Sequence, residues 1–277
     1  MRYGFVLPYG DARVAADMAR EAERAGWDGF FVWEAVWGYD AWVLLAAAAM
    51  QTETIKLGTM LTPPSRMRPW DLAGKTMTVD RLSNGRVILA VGLGAVDTGF
   101  VQFGEVTDRR TRAELMDEAL DIVTGLWKGQ PFSYSGKHYT VQECDFLPPP
   151  PPVQQPRIPI WVAGAWGSEK SMGRAVRYDG LLPNLIARGE EKRELTPDDI
   201  RAMREYVAAR RTETTPFEII AEGTTPGDDP AAAAAKVRPW AEAGATWWIE
   251  GMWDAMGNME RVWERVRQGP PRGDYES

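Results

Sequence analysis

The chain has 277 residues, 44% hydrophobic and 26% charged, which is ample material for one large core. A net charge of -7 offers no basic face to release counterions, which disfavours nucleic acid as a partner. One histidine and one cysteine make a His-rich metal site, a Ser-His-Asp system or a Cys-His system hard to build.

Strand-like and helix-like segments alternate from the start. "RYGFVLP" (2–8) is a first strand, entered with no signal-peptide pattern before it. "DARVAADMAREAERAGW" (11–27) repeats Val14, Met18, Ala22 and Ala25 at helical spacing, with Gly26 placed to cap it. "DGFFVWE" (28–34) is a second strand and "YDAWVLLAAAAMQTE" (39–53) its helix, whose apolar run is about half the ~20 residues of a membrane span. "IKLGTMLTP" (55–63) and "PWDLAGKTMTVDRLSNG" (69–85) form the third pair. "RVILAVGLG" (86–94) and "RRTRAELMDEALDIVTGLWKG" (109–129) form the fourth, with "RRTR" read as a solvated helix start.

The rhythm breaks over 130–157, where two β-prone pieces flank a turn and five prolines follow at 148–152. Consecutive prolines favour polyproline II and cannot pair within a sheet, so this is a surface excursion. The alternation then resumes: "IPIWVAGA" (158–165) with "SEKSMGRAVRYD" (168–179), and "GLLPNL" (180–185) with "TPDDIRAMREYVAARR" (196–211), N-capped by Thr196. "FEIIAEGT" (217–224) with 228–245 and "TWWIEGM" (246–252) with 257–269 complete the series.

Eight strand–helix units close a (β/α)8 barrel, which runs ~250 residues. The expected fold is therefore an α/β TIM barrel, one domain over 1–277, with a hairpin and proline-rich excursion before the fifth barrel strand. A doubly wound open sheet would carry its glycine fingerprint after the first strand, and "LPYGDARVA" lacks that spacing.

A barrel's active site lies at the C-terminal ends of its strands. Those ends hold Tyr9, Trp33 and Glu34, Thr59 to Thr62, Gly92 to Gly94, Ala163 to Trp166, Pro183 and Asn184, Glu222 and Glu250. The set is rich in aromatics, small residues and backbone, and contains no metal-ligand cluster, so no metal is expected. Such a site suits a planar cofactor that carries the hard chemistry itself. Glu34, Glu222 and Glu250 are its acid–base candidates, and Tyr9, Trp33, Trp37 and Trp166 its pocket-lining aromatics. "VAGAWGSEKS" is the anion candidate, with small residues and a helix start at Gly167 and Ser168; an ordinary loop with Ser168 as N-cap is the alternative. His138 reads as structural, Cys144 as an inert thiol in a reducing cytoplasm, and Arg86 as an ion-pair partner for Asp80.

Several blocks together resemble the luciferase-like flavin-dependent oxidoreductases. They are "LGTMLTPPSRMRPWDLAGKTMTVDRLSNGRVILAVGLG", "RRTRAELMDEALDIVTGLW", "FSYSGKHYTV", "PPVQQPRIPIWVAGA" and "RAVRYDGLLPN", in family order from about residue 1 to 185. The resemblance implies a barrel that binds FMN or the deazaflavin F420 at the strand C-termini. Its ring would lean on Met60, Leu61 and Thr62, where the family often has a non-prolyl cis peptide bond, and on the bare backbone of Gly92 and Gly94. Its phosphate would sit at Ala163, Gly164, Gly167 and Ser168. Leu93 stands where luciferase itself places an arginine, and Ala35 where F420-using members commonly carry histidine after an acid.

On this resemblance the expectation is an oxidoreductase that reduces, oxidises or monooxygenates a small organic substrate. F420 or FMN would carry the redox step, with NAD(P)H or a partner reductase as electron source, and Glu34 would donate the proton. A homodimer without nucleic-acid or membrane partners is expected. A non-catalytic flavin-binding barrel is the alternative, and an unrelated sugar-phosphate isomerase type of barrel would bind no flavin at all.

Overall fold

The computed structural model describes residues 1–145, 149–186 and 193–273. Eight parallel strands form a closed barrel in the order β1 (Arg2–Leu7), β10 (Trp247–Gly251), β9 (Glu218–Gly223), β8 (Gly180–Leu185), β7 (Ile160–Trp166), β4 (Val87–Val91), β3 (Lys56–Thr59) and β2 (Gly29–Val32). Around it lie α1 (Ala12–Arg24), α2 (Ala41–Ala49), α3 (Pro69–Leu82), α4 (Arg109–Lys128), α5 (Glu169–Val176), α6 (Pro197–Arg210), α7 (Pro230–Ala243) and α8 (Met259–Arg267). The expected TIM barrel is the fold. The excursion holds an antiparallel pair, β5 (Phe132–Ser135) and β6 (Thr140–Cys144), between α4 and β7. Of the five prolines, Pro148 lies outside the described residues.

The helix starts follow from side-chain caps. Asp11, Asp40, Asp108, Ser168, Thr196, Asp229 and Asn258 each accept a backbone N–H from the first turn of the following helix. The expected cap at Thr196 is thus present, with Asp199 returning the bond.

Period-two strands divide the core into two layers. Phe30, Val32, Leu57, Leu89, Val162 and Ile219 join the layer that packs against the helices. Val6, Phe31, Ile88, Ala90, Trp161, Leu182, Ile220, Trp247 and Ile249 form the separate cluster that fills the barrel. Three large rings dominate that filling: Phe31 stacks on Trp161 at 5.6 Å between centroids, and Trp247 meets Trp161 edge-on at 5.2 Å. Glycines make room for them. A Cβ on Gly29 would stand 2.7 Å from the Phe31 ring and 2.9 Å from that of Trp247, and one on Gly58 2.9 Å from Phe31.

The N-terminal face is tied by polar groups buried beneath the turns. Arg86 is not the ion-pair partner of Asp80 that the sequence suggested. Its guanidinium donates to Ser83 O, Thr52 Oγ1, Ile55 O, Ala49 O and Thr52 O, at 2.7–3.0 Å. Those acceptors, four carbonyls and one hydroxyl, lie at the ends of α2 and α3 and at the entry to β3, and the five fixed guanidinium N–H donors match them. Asp80 instead accepts from Val153 N, Gln154 N and Gln154 Nε2, which fastens the chain after the prolines.

The arginine run at the start of α4 also departs from its expected solvation. Arg112 is buried and reaches back to Leu93 O at 2.6 Å and Gly94 O at 2.9 Å. It falls on the same stripe as Met116, Leu120, Val123 and Trp127, a helical spacing that carries it into the core.

His138 is structural, as expected: its Nε2 pairs with Glu114 Oε2 at 3.0 Å, and its backbone N–H joins those of Lys137 and Tyr139 on Glu118.

Candidate active site at the strand C-termini

The C-terminal mouth has an apolar floor. Met60, Leu61 and Ala163 are partly buried and pack onto the cluster that fills the barrel, so their outer faces line the mouth. The Met60–Leu61 peptide bond is cis, at the positions matched to the family's cis bond. Met60 N donates to Val32 O at 2.7 Å and Thr62 N to Ala90 O at 2.8 Å, which fixes the segment across β2 and β4. Gly92 frees space that Leu61 occupies, since a Cβ there would stand 2.7 Å from Leu61 Cδ2. Gly94 has φ +74° and frees space for Phe100 and Pro63. Both glycines therefore shape the floor through protein side chains.

Thr62 is fully buried and serves an acid. Its hydroxyl donates to Glu34 Oε2 at 2.7 Å and lies 3.0 Å from Thr59 Oγ1, which in turn lies 3.1 Å from Ala90 O. Desolvation pushes the Glu34 carboxyl above its ordinary value, against the opposing pull of the Thr62 hydrogen bond, Arg66 and Lys75. Arg66 itself is held by Ala35 O at 3.0 Å and Val36 O at 2.7 Å.

The other two acids separate sharply. Glu250 is fully buried, accepts from Thr225 N, Thr225 Oγ1 and Trp248 Nε1, and pairs with Arg265 at 3.3 Å. That sealed pair is structural, which removes Glu250 from the rim candidates. Glu222 stands open to the mouth and accepts a hydrogen bond from Trp253 Nε1. Apolar neighbours wall it on the other sides, so desolvation raises its carboxyl, and the indole N–H opposes the shift.

Three of the four expected pocket aromatics come together. Tyr9, Trp33 and Trp37 line a cavity of about 550 Å³ with Leu7, Gly10, Val32, Ala35, Gly38, Tyr39 and Leu44. None of these side chains is charged. Trp33 Nε1 is used on Pro8 O at 2.7 Å, and Tyr9 packs against Tyr39 at 6.2 Å. Trp166 stands apart and packs edge-on against Tyr206 of α6 at 5.8 Å. Trp253 is the rim residue the sequence reading passed over. It stands two residues past β10 and packs edge-on against Trp33 at 6.5 Å. Its place just beyond a strand end was the available signal.

The end of β7, the fifth barrel strand in the sequence, carries the anion candidates. Ser168 caps α5 by accepting from Ser171 N, and Ser171 Oγ accepts from Ala165 N at 3.0 Å. Both hydroxyls act as acceptors here, which leaves their hydrogens available for an anion at this helix start. Gly167 has φ +90°, so the turn itself requires glycine. Gly164 serves packing, since a Cβ there would press on Leu181 and on Met172 of α5. A flat ring on the apolar floor and an anion at the start of α5 thus fit the residues present.

No group of three or more His, Cys, Asp or Glu capable of holding a metal occurs among the described residues. Among them, no helix is long and apolar enough to cross a membrane.

Comparison with known proteins places this geometry in context. A family described as luciferase-like monooxygenase matches residues 2–272. An F420-dependent glucose-6-phosphate dehydrogenase of Kineococcus radiotolerans is 31% identical over 245 residues, 83% of this chain and 69% of that one. Among solved structures, the F420-dependent tetrahydromethanopterin reductase of Methanopyrus kandleri superposes with a TM-score of 0.76 at 18% identity, covering 97% and 98% of the two chains. The FMN-complexed oxygenating constituent of 3,6-diketocamphane monooxygenase from Pseudomonas putida gives 0.73 at 16% identity, covering 97% and 96%.

Proposed function

We infer the function from the family to which the chain belongs, the luciferase-like monooxygenases: it is an F420- or FMN-dependent oxidoreductase acting on a small organic substrate. The observation that carries this reading is the apolar floor of Met60, Leu61 and Ala163 beside an uncharged aromatic cavity. When bound, the cofactor supplies the hydride or the oxygen-activating electrons. The chain's own residues bind and orient it. Met60, Leu61 and Ala163 support the ring, while Thr62, Gly92 and Gly94 hold that floor in shape. The end of β7 at Ala163 and Gly164 and the turn at Gly167 and Ser168 position the anionic end, with Ser171 as a further donor. Glu34, held by Thr62, stores a proton at the end of β2.

The same reading extends to the substrate. Tyr9, Trp33, Trp37 and Tyr39 offer ring faces, two phenolic hydroxyls and no formal charge, which suits an uncharged, largely apolar molecule. A phosphate-bearing sugar would find no cation in that cavity. NAD(P)H or a partner reductase is the proposed electron source, and the cytoplasm the proposed location. The proposed assembly is a homodimer, in which the exposed Val43 and Met50 on the outer side of α2 would be covered.

Turnover tests this against a non-catalytic carrier. Protein loaded with reduced F420, or with FMN and NAD(P)H, is mixed with a panel of uncharged aromatic ketones, enones and alcohols. Acceptor-dependent oxidation of the reduced cofactor, or reduction of separately loaded oxidised F420 by an alcohol, supports the enzyme. Binding without turnover across the panel supports the carrier.

A further inference from the structure

The mouth contains a second acid whose setting is more elaborate than that of Glu34. Glu222 is the next-to-last residue of β9, and Met60 directly follows β3, four strands away around the closed barrel. The two nevertheless line one cleft, together with Leu182, Ile220 and Trp240, so this cleft crosses the mouth from the floor to the Glu222 carboxyl. Three features hold that carboxyl in place. Trp253 Nε1 donates to Oε1. Gly251, on the neighbouring strand β10, leaves room for the same oxygen, since a Cβ there would stand 2.6 Å from it. Trp253 in turn packs against Trp33, a wall of the aromatic cavity. Glu222 therefore stands between the floor and the cavity, reachable from the mouth.

We propose that Glu222 is the catalytic acid–base residue of this site, with Trp253 as its positioning residue. The proposal rests on the flavin-type reading given above. As a hydride passes from the reduced cofactor to a substrate carbon, Glu222 gives its carboxyl proton to the adjoining oxygen or nitrogen. The carboxylate then regains a proton from solvent. In the oxidising direction Glu222 takes that proton as the hydride leaves. The apolar walls around the carboxyl favour the neutral form that such a donor needs. Glu34, hydrogen-bonded to the fully buried Thr62, has no partner in the Met60 cleft.

The test is the pH dependence of cofactor affinity, followed by fluorescence with oxidised F420 and with FMN. A ring that covers Glu222 must desolvate it, so binding is tighter when the carboxyl is protonated. Wild-type affinity should fall by up to tenfold per pH unit above the Glu222 pKa, the limit for one linked proton. Glu222→Gln should abolish this limb, and Glu222→Asp should restore one. Trp253→Phe should move it to higher pH, because the lost N–H no longer stabilises the carboxylate. If wild type binds and the limb persists in Glu222→Gln, or disappears only in Glu34→Gln, the assignment is overturned while the flavin-type reading stands. If wild type binds neither cofactor, both fall together.

Discussion

Thr62 donates its hydroxyl to Glu34 Oε2 across 2.7 Å, with Thr59 3.0 Å behind it. The bond ties the end of β2 to the segment that follows β3, and it stabilises a carboxylate that burial disfavours. Burial wins, so the folded-state pKa of Glu34 lies above its unfolded value. Between those two values the folded protein binds more protons than the unfolded chain. The stabilisation is therefore complete below the unfolded value, about pH 4, and is lost as pH rises through the folded one. Glu34→Gln keeps an oxygen for Thr62 and removes the titration. Its melting temperature should exceed that of wild type at neutral pH and converge with it near the unfolded value. A set of thermal melts across that range checks the sign.

Arg86 supplies five hydrogen bonds to groups that have no other reason to lie buried. Arg86→Ala leaves those acceptors unsatisfied and should cost about 3 kcal/mol or more. Asp80→Asn weakens a separate attachment, to Val153 and Gln154. A double-mutant cycle by denaturant unfolding should therefore give a coupling energy within about 0.5 kcal/mol of zero. A coupling of several times that size would restore the ion pair.

Trp37 is 80% exposed and Trp166 packs on Tyr206, so their truncations should differ in kind. Trp37→Ala should leave stability within about 0.5 kcal/mol of wild type and raise KM for an apolar substrate. Trp166→Ala should lose about 0.5–1.5 kcal/mol from the ring contact, with a smaller effect on KM. Melting curves and steady-state kinetics of the two variants separate these outcomes.

Much of the barrel was legible because its signals are local. Apolar period, an Asp, Ser, Thr or Asn cap before seven of the eight helices and glycine after some of them mark the elements, and "GLLPNL" matches β8 end to end. The cavity formed by Tyr9, Trp33 and Trp37 was legible too, because strand ends of a barrel share one face. What stayed hidden depends on pairing across the sequence. Nothing near Glu250 announces Arg265, and nothing near Arg86 announces the carbonyls of Ala49 and Ile55. The glycines of "AVGLG" point correctly to the mouth, but the side chains they admit, Leu61 and Phe100, come from other segments. Three acids that look alike in sequence diverge for the same reason: Glu250 is sealed, Glu34 is tied to a buried threonine, and Glu222 is open to the mouth.

The central claim is that this mouth holds a flavin-type ring on Met60, Leu61 and Ala163. A side-by-side equilibrium titration with F420 and with FMN, followed by cofactor and tryptophan fluorescence, tests it most directly. Saturable binding of at least one, weakened at least tenfold by the uncharged bulk of Ala163→Trp in protein that still melts cooperatively, is the predicted result. Failure of both cofactors to bind the wild-type protein would contradict the account.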